Sequence, residues 1–456
     1  MKVISILLLS LCAIGSLQAQ EVSPQEKFQN YYKGAQNGNV LNMYQVGYCY
    51  YFGSGVKRDY QQAYEWFKKS ADKGDGNAMF YIGDMYRYGR GVTKDMTQAC
   101  SWYEKGAAKN NRYCLAQLGE RYYWGEGVGQ NYTKAFELYK KAAELGHVAS
   151  MENLAYCYQM GIGGEKDLQA ALEWREKAAE KGDSDALMNL GLMYYHGNGV
   201  TKDTNKAVSL LEKSAAKGNT EAMKILGGSY ANGEGVVKNL QTSLKWYEMA
   251  AQKGDKTAMS IMGDIYSYGE GVQIDNQKAM EWYEKAANKG DMNAMYNLGV
   301  FYDEGRGVSK EPKIAKEWYE KAANLGQSDA MYNLGICYKD GSGVTQDHAK
   351  AKEWFEKAAA KGHGAAMNSI GSLYAKGLGV QKDFLKAREW FEKGAAKDEP
   401  LAMLNLGYLY WNGNGVERNV QKAKEWFSKA ASLGNEEAKR MLKAGTKTTT
   451  VTVGKK

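Results

Sequence analysis

Serine followed three residues later by lysine sets a hydroxyl one helical turn from an amine, the spacing with which β-lactamase-type hydrolases activate a nucleophile. The 456-residue chain has this spacing at Ser54/Lys57, Ser70/Lys73 and Ser214/Lys217. Neither Ser-Asp-Asn nor Lys-Thr-Gly accompanies it, and Ser70 and Ser214 stand where equivalent segments carry Ala142, Ala178 or Ala322. The serines therefore read as small helix residues. His147, His196, His348 and His363 are scattered, without His-Glu-x2-His or Cys-x2-Cys, so no metal site is expected. Gly125-x-Gly127-x-Gly129 lies between two helical patterns rather than after a strand, which removes the physical basis of a phosphate loop, and no cofactor is expected. Binding chemistry is richer than catalytic chemistry, because tyrosine, phenylalanine and tryptophan crowd one set of recurring helix positions in the N-terminal half.

These side chains are positioned by an internal repeat. A Gly-x-Gly pair recurs every 36 residues from Gly53/Gly55 to Gly413/Gly415, eleven copies without insertion or deletion. Such regularity means that each unit stacks on its neighbour in one register. Within a unit, Ala294, Met295, Leu298, Gly299 and Tyr302 make one helical stripe, helix A. The glycine loop follows, and then an Asp or Asn such as Asp59 or Asn131 stands as N-cap before a second stripe, helix B. Helix B carries Ala315, Trp318, Tyr319, Ala322 and Ala323, where small alanines permit close approach and the aromatic pair fills the space beside them. Gly290, Gly326 or Gly362 ends helix B; Asn110 and Asp398 replace it in two units, Asn110 being the easier substitute in a left-handed conformation. Glu-Lys pairs four residues apart, such as Glu317/Lys321 and Glu353/Lys357, are expected as surface helix support. Half units precede and follow the array, giving 24 expected helices.

Gly-x-Gly-Val, then Asp, then Ala-x2-Trp-[Tyr/Phe]-x-Lys-Ala-Ala-x2-Gly resembles the Sel-one-like repeat family, a tetratricopeptide-like group. The resemblance covers residues 30 to 443. It implies an all-α fold, a right-handed α-solenoid (superhelix) of eleven 36-residue helix-turn-helix repeats with half repeats at both ends. It also implies an interaction scaffold, since members of that family serve as scaffolds in secretion, signalling and cell-envelope processes, with penicillin binding or β-lactamase activity associated with some. Local departures are Gly164 for the loop valine, Ala155 for the helix A glycine, and Leu138 and Leu210 for the helix B tryptophan. Some exported relatives staple their helices with disulfides; here only Cys114 occupies such a site, opposite Ala107, while Cys49, Cys157 and Cys337 share an apolar helix A position.

By 100° arithmetic, the helix A face opposite the core stripe carries Asn293, Tyr296, Val300, Asp303 and Glu304 and their equivalents, and in solenoids of this type it lines the concave wall. Among the 25 such positions of the first five units, 11 are Phe, Tyr or Trp; the next five units have only Tyr268, Tyr296 and Tyr332. Aromatics with a few charges are the composition of a binding hot spot. The expected ligand-binding residues are Tyr44, Tyr48, Tyr51, Phe52, Phe80, Arg87, Tyr88, Tyr113, Glu120, Tyr123, Trp124 and Tyr156. The competing reading has these rings packing between adjacent A helices or covering the first edge of the array.

Residues 1–19 combine Lys2, an apolar stretch from Val3 to Leu17 and a small Ala19, the pattern of a cleaved secretory signal, and their apolar core is too short to span a bilayer. The expected organisation is leader 1–19, repeat array 20–443 and a disordered tail 444–456, in an exported protein, periplasmic or secreted, without an integral membrane segment. The net charge of +8 carries no long like-charge block, so nucleic acid is not an expected partner. The sequence points to a non-enzymatic scaffold or adaptor holding a protein or peptide segment in the groove. The alternatives are an envelope glycan or peptidoglycan binder, or a modulator of a cell-wall enzyme, and then a β-lactamase-like hydrolase.

Overall fold

A computed structural model describes residues 22–447; the leader 1–19 and residues 448–456 lie outside the described residues. The described residues form 24 helices and no strand, and the chain divides into two compact units, residues up to Ala222 and residues from Met223.

In the first unit the half-repeat helix α1 (Pro24–Gln36) precedes the A helices α2 (Val40–Phe52), α4 (Gly76–Tyr88), α6 (Arg112–Trp124), α8 (Val148–Met160) and α10 (Ser184–His196). They alternate with the B helices α3 (Tyr60–Asp72), α5 (Met96–Ala107), α7 (Tyr132–Glu144), α9 (Leu168–Glu180) and α11 (Thr204–Ala216). Helix α12 (Thr220–Asn232) begins at the end of this unit. The second unit has the A helices α14 (Lys256–Tyr268), α16 (Met292–Glu304), α18 (Ser328–Asp340), α20 (Gly364–Lys376), α22 (Pro400–Asn412) and α24 (Glu436–Lys447). Its B helices are α13 (Leu240–Gln252), α15 (Asn276–Asn288), α17 (Pro312–Asn324), α19 (His348–Ala360), α21 (Phe384–Ala395) and α23 (Val420–Ser432). Within each unit every A helix packs on the B helix that follows it, and that B helix packs on the next A helix.

Caps set the helix ends as the sequence predicts. Asp59 Oδ1 accepts from the Gln62 amide at 3.0 Å and Asn131 Oδ1 from the Lys134 amide at 2.9 Å, each satisfying an orphan donor at the start of helix B. His147 and His363 cap α8 and α20 through Nδ1, at 3.2 Å from the Ser150 and Ala366 amides respectively. Asn110 and Asp398 stand at φ 56° and 55°, the left-handed conformation that glycine holds at the other turns.

The repeated apolar positions form the core. Tyr319 and Phe355 of helix B are buried against Leu298 or Leu334 of helix A, while the neighbouring Trp318 and Trp354 are half-buried. The lysines expected to pair with glutamates lie over those tryptophans instead: Lys321 Nζ is 4.0 Å from the Trp318 ring and Lys357 Nζ 3.6 Å from the Trp354 ring. A partly desolvated ring face attracts the ammonium more strongly than a fully hydrated carboxylate does.

The five described cysteines, Cys49, Cys100, Cys114, Cys157 and Cys337, are unpaired and buried. Cys114 sits over Gly106, whose missing side chain makes room for it: a Cβ there would lie 2.2 Å from Sγ. Ser70 and Ser214 are closed in the interior. Their hydroxyls donate to the carbonyls of Val40 at 3.0 Å and Ser184 at 2.6 Å, tying helix B to the start of helix A in the same repeat.

Candidate functional site

Successive A helices lie side by side, and one register position on each faces the gap to the previous one. Tyr81, Gln117, Asn153, Asn189, Asn297, Ser369 and Asn405 occupy it, separated by multiples of 36. In five gaps this residue closes the space. Tyr81 stacks on Phe67 with ring centroids 5.1 Å apart and meets Tyr48 edge-on at 5.8 Å. Gln117 Oε1 accepts from Arg87 Nη1 at 2.5 Å, and the Nδ2 atoms of Asn189, Asn297 and Asn405 donate to Glu152 at 2.7 Å, Asp264 at 3.2 Å and Asn368 at 2.8 Å. Asn153 has no hydrogen-bond partner among the described residues, and the gap between α6 and α8 stays open as a recess of about 330 Å³.

Glu120, Tyr123, Trp124, Tyr139, Asn153, Tyr156 and Cys157 line this recess. Trp124 is 63% exposed and Tyr156 43% exposed, so two large rings present surface at its rim, Trp124 edge-on to Tyr123 with centroids 4.8 Å apart. The Glu120 carboxylate is held by Arg121 at 2.8 Å, with Arg87 at 4.0 Å. Arg121 is an unusual holder: it is buried at the helix A position that is Cys49, Met85 or Cys157 elsewhere, and it also bonds Glu126. A buried guanidinium is tolerated because two carboxylates pair with it.

Burial raises the Tyr139 hydroxyl above the usual tyrosine range, with the Glu120 charge adding to it, and burial pushes the Cys157 thiol up to about 11. Both are protonated at neutral pH, so the cysteine is no thiolate nucleophile. Aromatic faces, an oriented carboxylate and a free amide make a surface that stacks and hydrogen-bonds.

Of the twelve residues expected to bind ligand, the structure brings Glu120, Tyr123, Trp124 and Tyr156 together here. Tyr44, Tyr48 and Phe52 pack around Tyr81 at ring distances of 6.0, 5.8 and 6.2 Å, filling their own gap. Tyr51 departs from an exposed wall: it is buried among Tyr60, Phe67 and Tyr81, with the Arg90 guanidinium donating to its hydroxyl. Phe80 lies against Tyr113 at 5.6 Å, and Tyr113 against the His147 ring at 5.5 Å. Tyr88 remains exposed, with the Arg87 and Arg90 guanidinium groups each 4.9 Å from its ring. Sequence reasoning missed Asn153, Tyr139 and Cys157. The signal for Asn153 was present, since its register position is mostly polar from repeat to repeat.

The described residues hold no group of three or more His, Cys, Asp or Glu placed to bind a metal, and no helix long and apolar enough to cross a membrane. None of the curated proteins matches the chain. Among solved structures, it is similar to a protective antigen of uropathogenic Escherichia coli with an SLR fold, at 32% identity over 93% of this chain and 91% of that one, TM-score 0.66. It is also similar to a Sel1 repeat protein from Oxalobacter formigenes, at 32% identity over 68% and 90% of the two chains, TM-score 0.57. The Sel1 repeat model matches eleven times, at residues 43–75, 76–111, 112–147, 148–183, 184–219, 220–255, 257–291, 293–327, 328–363, 364–399 and 400–435. Proteins built of these repeats are generally protein-interaction scaffolds and typically non-enzymatic. With eleven matches covering nearly all of the described residues, and helix pairs in the order those matches require, the chain belongs to the Sel1 repeat family.

Proposed function

We propose that the protein is an exported scaffold that holds a segment of a partner protein along its A-helix face, anchored at the α6–α8 recess. The observation that carries this reading is the pairing of two exposed rings, Trp124 and Tyr156, with an open recess whose carboxylate is already oriented. Large aromatic anchors beside a pocket are where binding energy concentrates in protein interfaces. Export, to a periplasm or medium, rests on the leader pattern of residues 1–19.

A glycan is the second reading, because Trp124 offers a free face on which a sugar ring stacks. Selection from a random peptide library, with peptidoglycan fragments assayed in parallel, separates the two. Peptides that bind the full chain and lose about tenfold or more in affinity in a Trp124→Ala, Tyr156→Ala variant support the scaffold. Fragment binding with the same dependence moves the assignment to glycan. If no ligand of either kind depends on the two rings, the recess is not the site.

A further inference from the structure

A second gap between A helices is open in the other unit. The position that Asn153 occupies in α8 is Ser369 in α20, whose hydroxyl meets Tyr332 of α18, and beside that contact the gap between α18 and α20 holds a recess of about 580 Å³. Its lining differs in chemistry from the α6–α8 recess. Lys339, Lys376 and Ser372 supply ammonium and hydroxyl donors, and Ile336 and Leu401 an apolar wall. Asp340 is the acidic side chain of the lining, and it lies 3.5 Å from Lys339. Lys376 has no ion-pair partner among the described residues and is exposed.

Three ligand classes fit this chemistry poorly. A cation would meet two lysines against one aspartate. A sugar would need a free ring, and the one aromatic hydroxyl-bearing ring here, Tyr332, is stacked on the His363 imidazole with centroids 4.6 Å apart and planes 20° apart. A bare inorganic anion would leave the apolar wall uncovered.

We propose that this recess receives an acidic side chain of an extended peptide from a partner protein. The carboxylate is taken by Lys376 with the Ser372 hydroxyl, and an adjacent apolar side chain of the peptide covers Ile336 and Leu401. Ammonium and hydroxyl donors to a carboxylate are charge-assisted and so stronger than neutral hydrogen bonds. The inference is independent of the α6–α8 reading, which concerns residues of the other unit.

The test uses the full chain with labelled isoleucine and leucine methyl groups, the Ile336 signal being assigned with Ile336→Val. The probes are a blocked Ala-Leu-Asp-Ala-Leu peptide, its Asn counterpart and sodium acetate. The expected result is movement of the Ile336 and Leu401 methyl signals by the Asp peptide at a concentration about tenfold lower than for either control, and a loss of about fivefold or more in affinity in Lys376→Gln. Equal action of the Asn peptide removes the carboxylate from the proposal. Equal action of acetate reduces the site to a simple anion pocket, and unmoved methyl signals overturn it outright. Because the signals read α18 to α22, each outcome stands whatever happens at Trp124 and Tyr156.

Discussion

Gly299 of α16 lies directly beneath the ring of Tyr319 of α17: a Cβ at Gly299 would stand 2.5 Å from both Cδ1 and Cε1 of the tyrosine. The same contact recurs between Gly83 and Tyr103 at 2.4 Å, Gly335 and Phe355 at 2.5 Å, and Gly407 and Phe427 at 2.3 Å. The helix A glycine is therefore present to admit the helix B ring, and the two positions constrain each other. Where the ring is replaced, the constraint relaxes: a Cβ at Gly191 would be 3.1 Å from Leu211 Cγ. Ala155 takes the glycine's place in the repeat whose ring position is Arg175.

Gly299→Ala is expected to destabilise the α16–α17 pair by about 1–3 kcal/mol through overpacking. Tyr319→Leu alone reproduces the natural Gly191/Leu211 pairing, where a Cβ has more room than beneath a tyrosine ring, so Gly299→Ala costs less in the Tyr319→Leu background. The double variant is therefore less destabilised than the sum of the singles. Hydrogen-exchange protection of α16 and α17 in all three variants checks this, and strict additivity would refute the contact.

Arg175 and Glu152 form a buried pair, Nε to Oε1 at 3.0 Å, and Asn189 also donates to the same carboxylate oxygen at 2.7 Å. Burial still holds the Glu152 carboxyl above the usual carboxylate range, against the lowering effect of Arg175. Arg175→Leu strands that carboxylate and is expected to cost about 3 kcal/mol locally at neutral pH. Arg175→Tyr combined with Ala155→Gly and Glu152→Gln restores the repeat's ordinary ring-on-glycine packing. It is expected to unfold at higher urea concentration than Arg175→Leu, and the reverse order would show that the ion pair is not a substitute for the ring.

Asp398 carries φ 55° at a turn where glycine is the rule. Asp398→Gly is expected to raise stability by about 1 kcal/mol by removing the Cβ penalty of the left-handed conformation, less the extra chain entropy of glycine in the unfolded state. Asp398→Ala keeps that penalty without aspartate's local hydrogen bonding and should be the less stable of the two. Thermal melts of both variants decide it.

His147 caps α8 through Nδ1, which requires a neutral ring, and burial together with the Arg112 charge lowers its pKa below the usual 6.5. The unfolded chain then takes up its proton first as pH falls. Stability from this cap is fully present above about pH 6.5 and declines as pH drops from there through the lower folded value. His147→Asn keeps a capping acceptor and removes the titration. The difference in Tm between the variant and the parent chain should grow as pH is lowered from about 7.5 to about 5.5, and a constant difference would mean that the ring is not held neutral.

The sequence by itself determined the all-helical repeat, because a stripe of apolar residues, a capping Asp or Asn and a loop glycine are local features and recur at a spacing of 36. The 24 helices follow from it, as do the left-handed turns at Asn110 and Asp398. The aromatic concentration also pointed to the right helices, since Glu120, Tyr123, Trp124 and Tyr156 do share one recess. What only tertiary structure decided is which gaps stay open. That depends on whether a side chain on one A helix reaches its counterpart on the previous one, a distance across 36 residues that no local pattern encodes. Tyr81 and Gln117 reach and close their gaps, whereas a recess remains beside Asn153 and beside Ser369. Tyr51 is buried where packing brings Arg90 of the next repeat to its hydroxyl, a partner that no local pattern names.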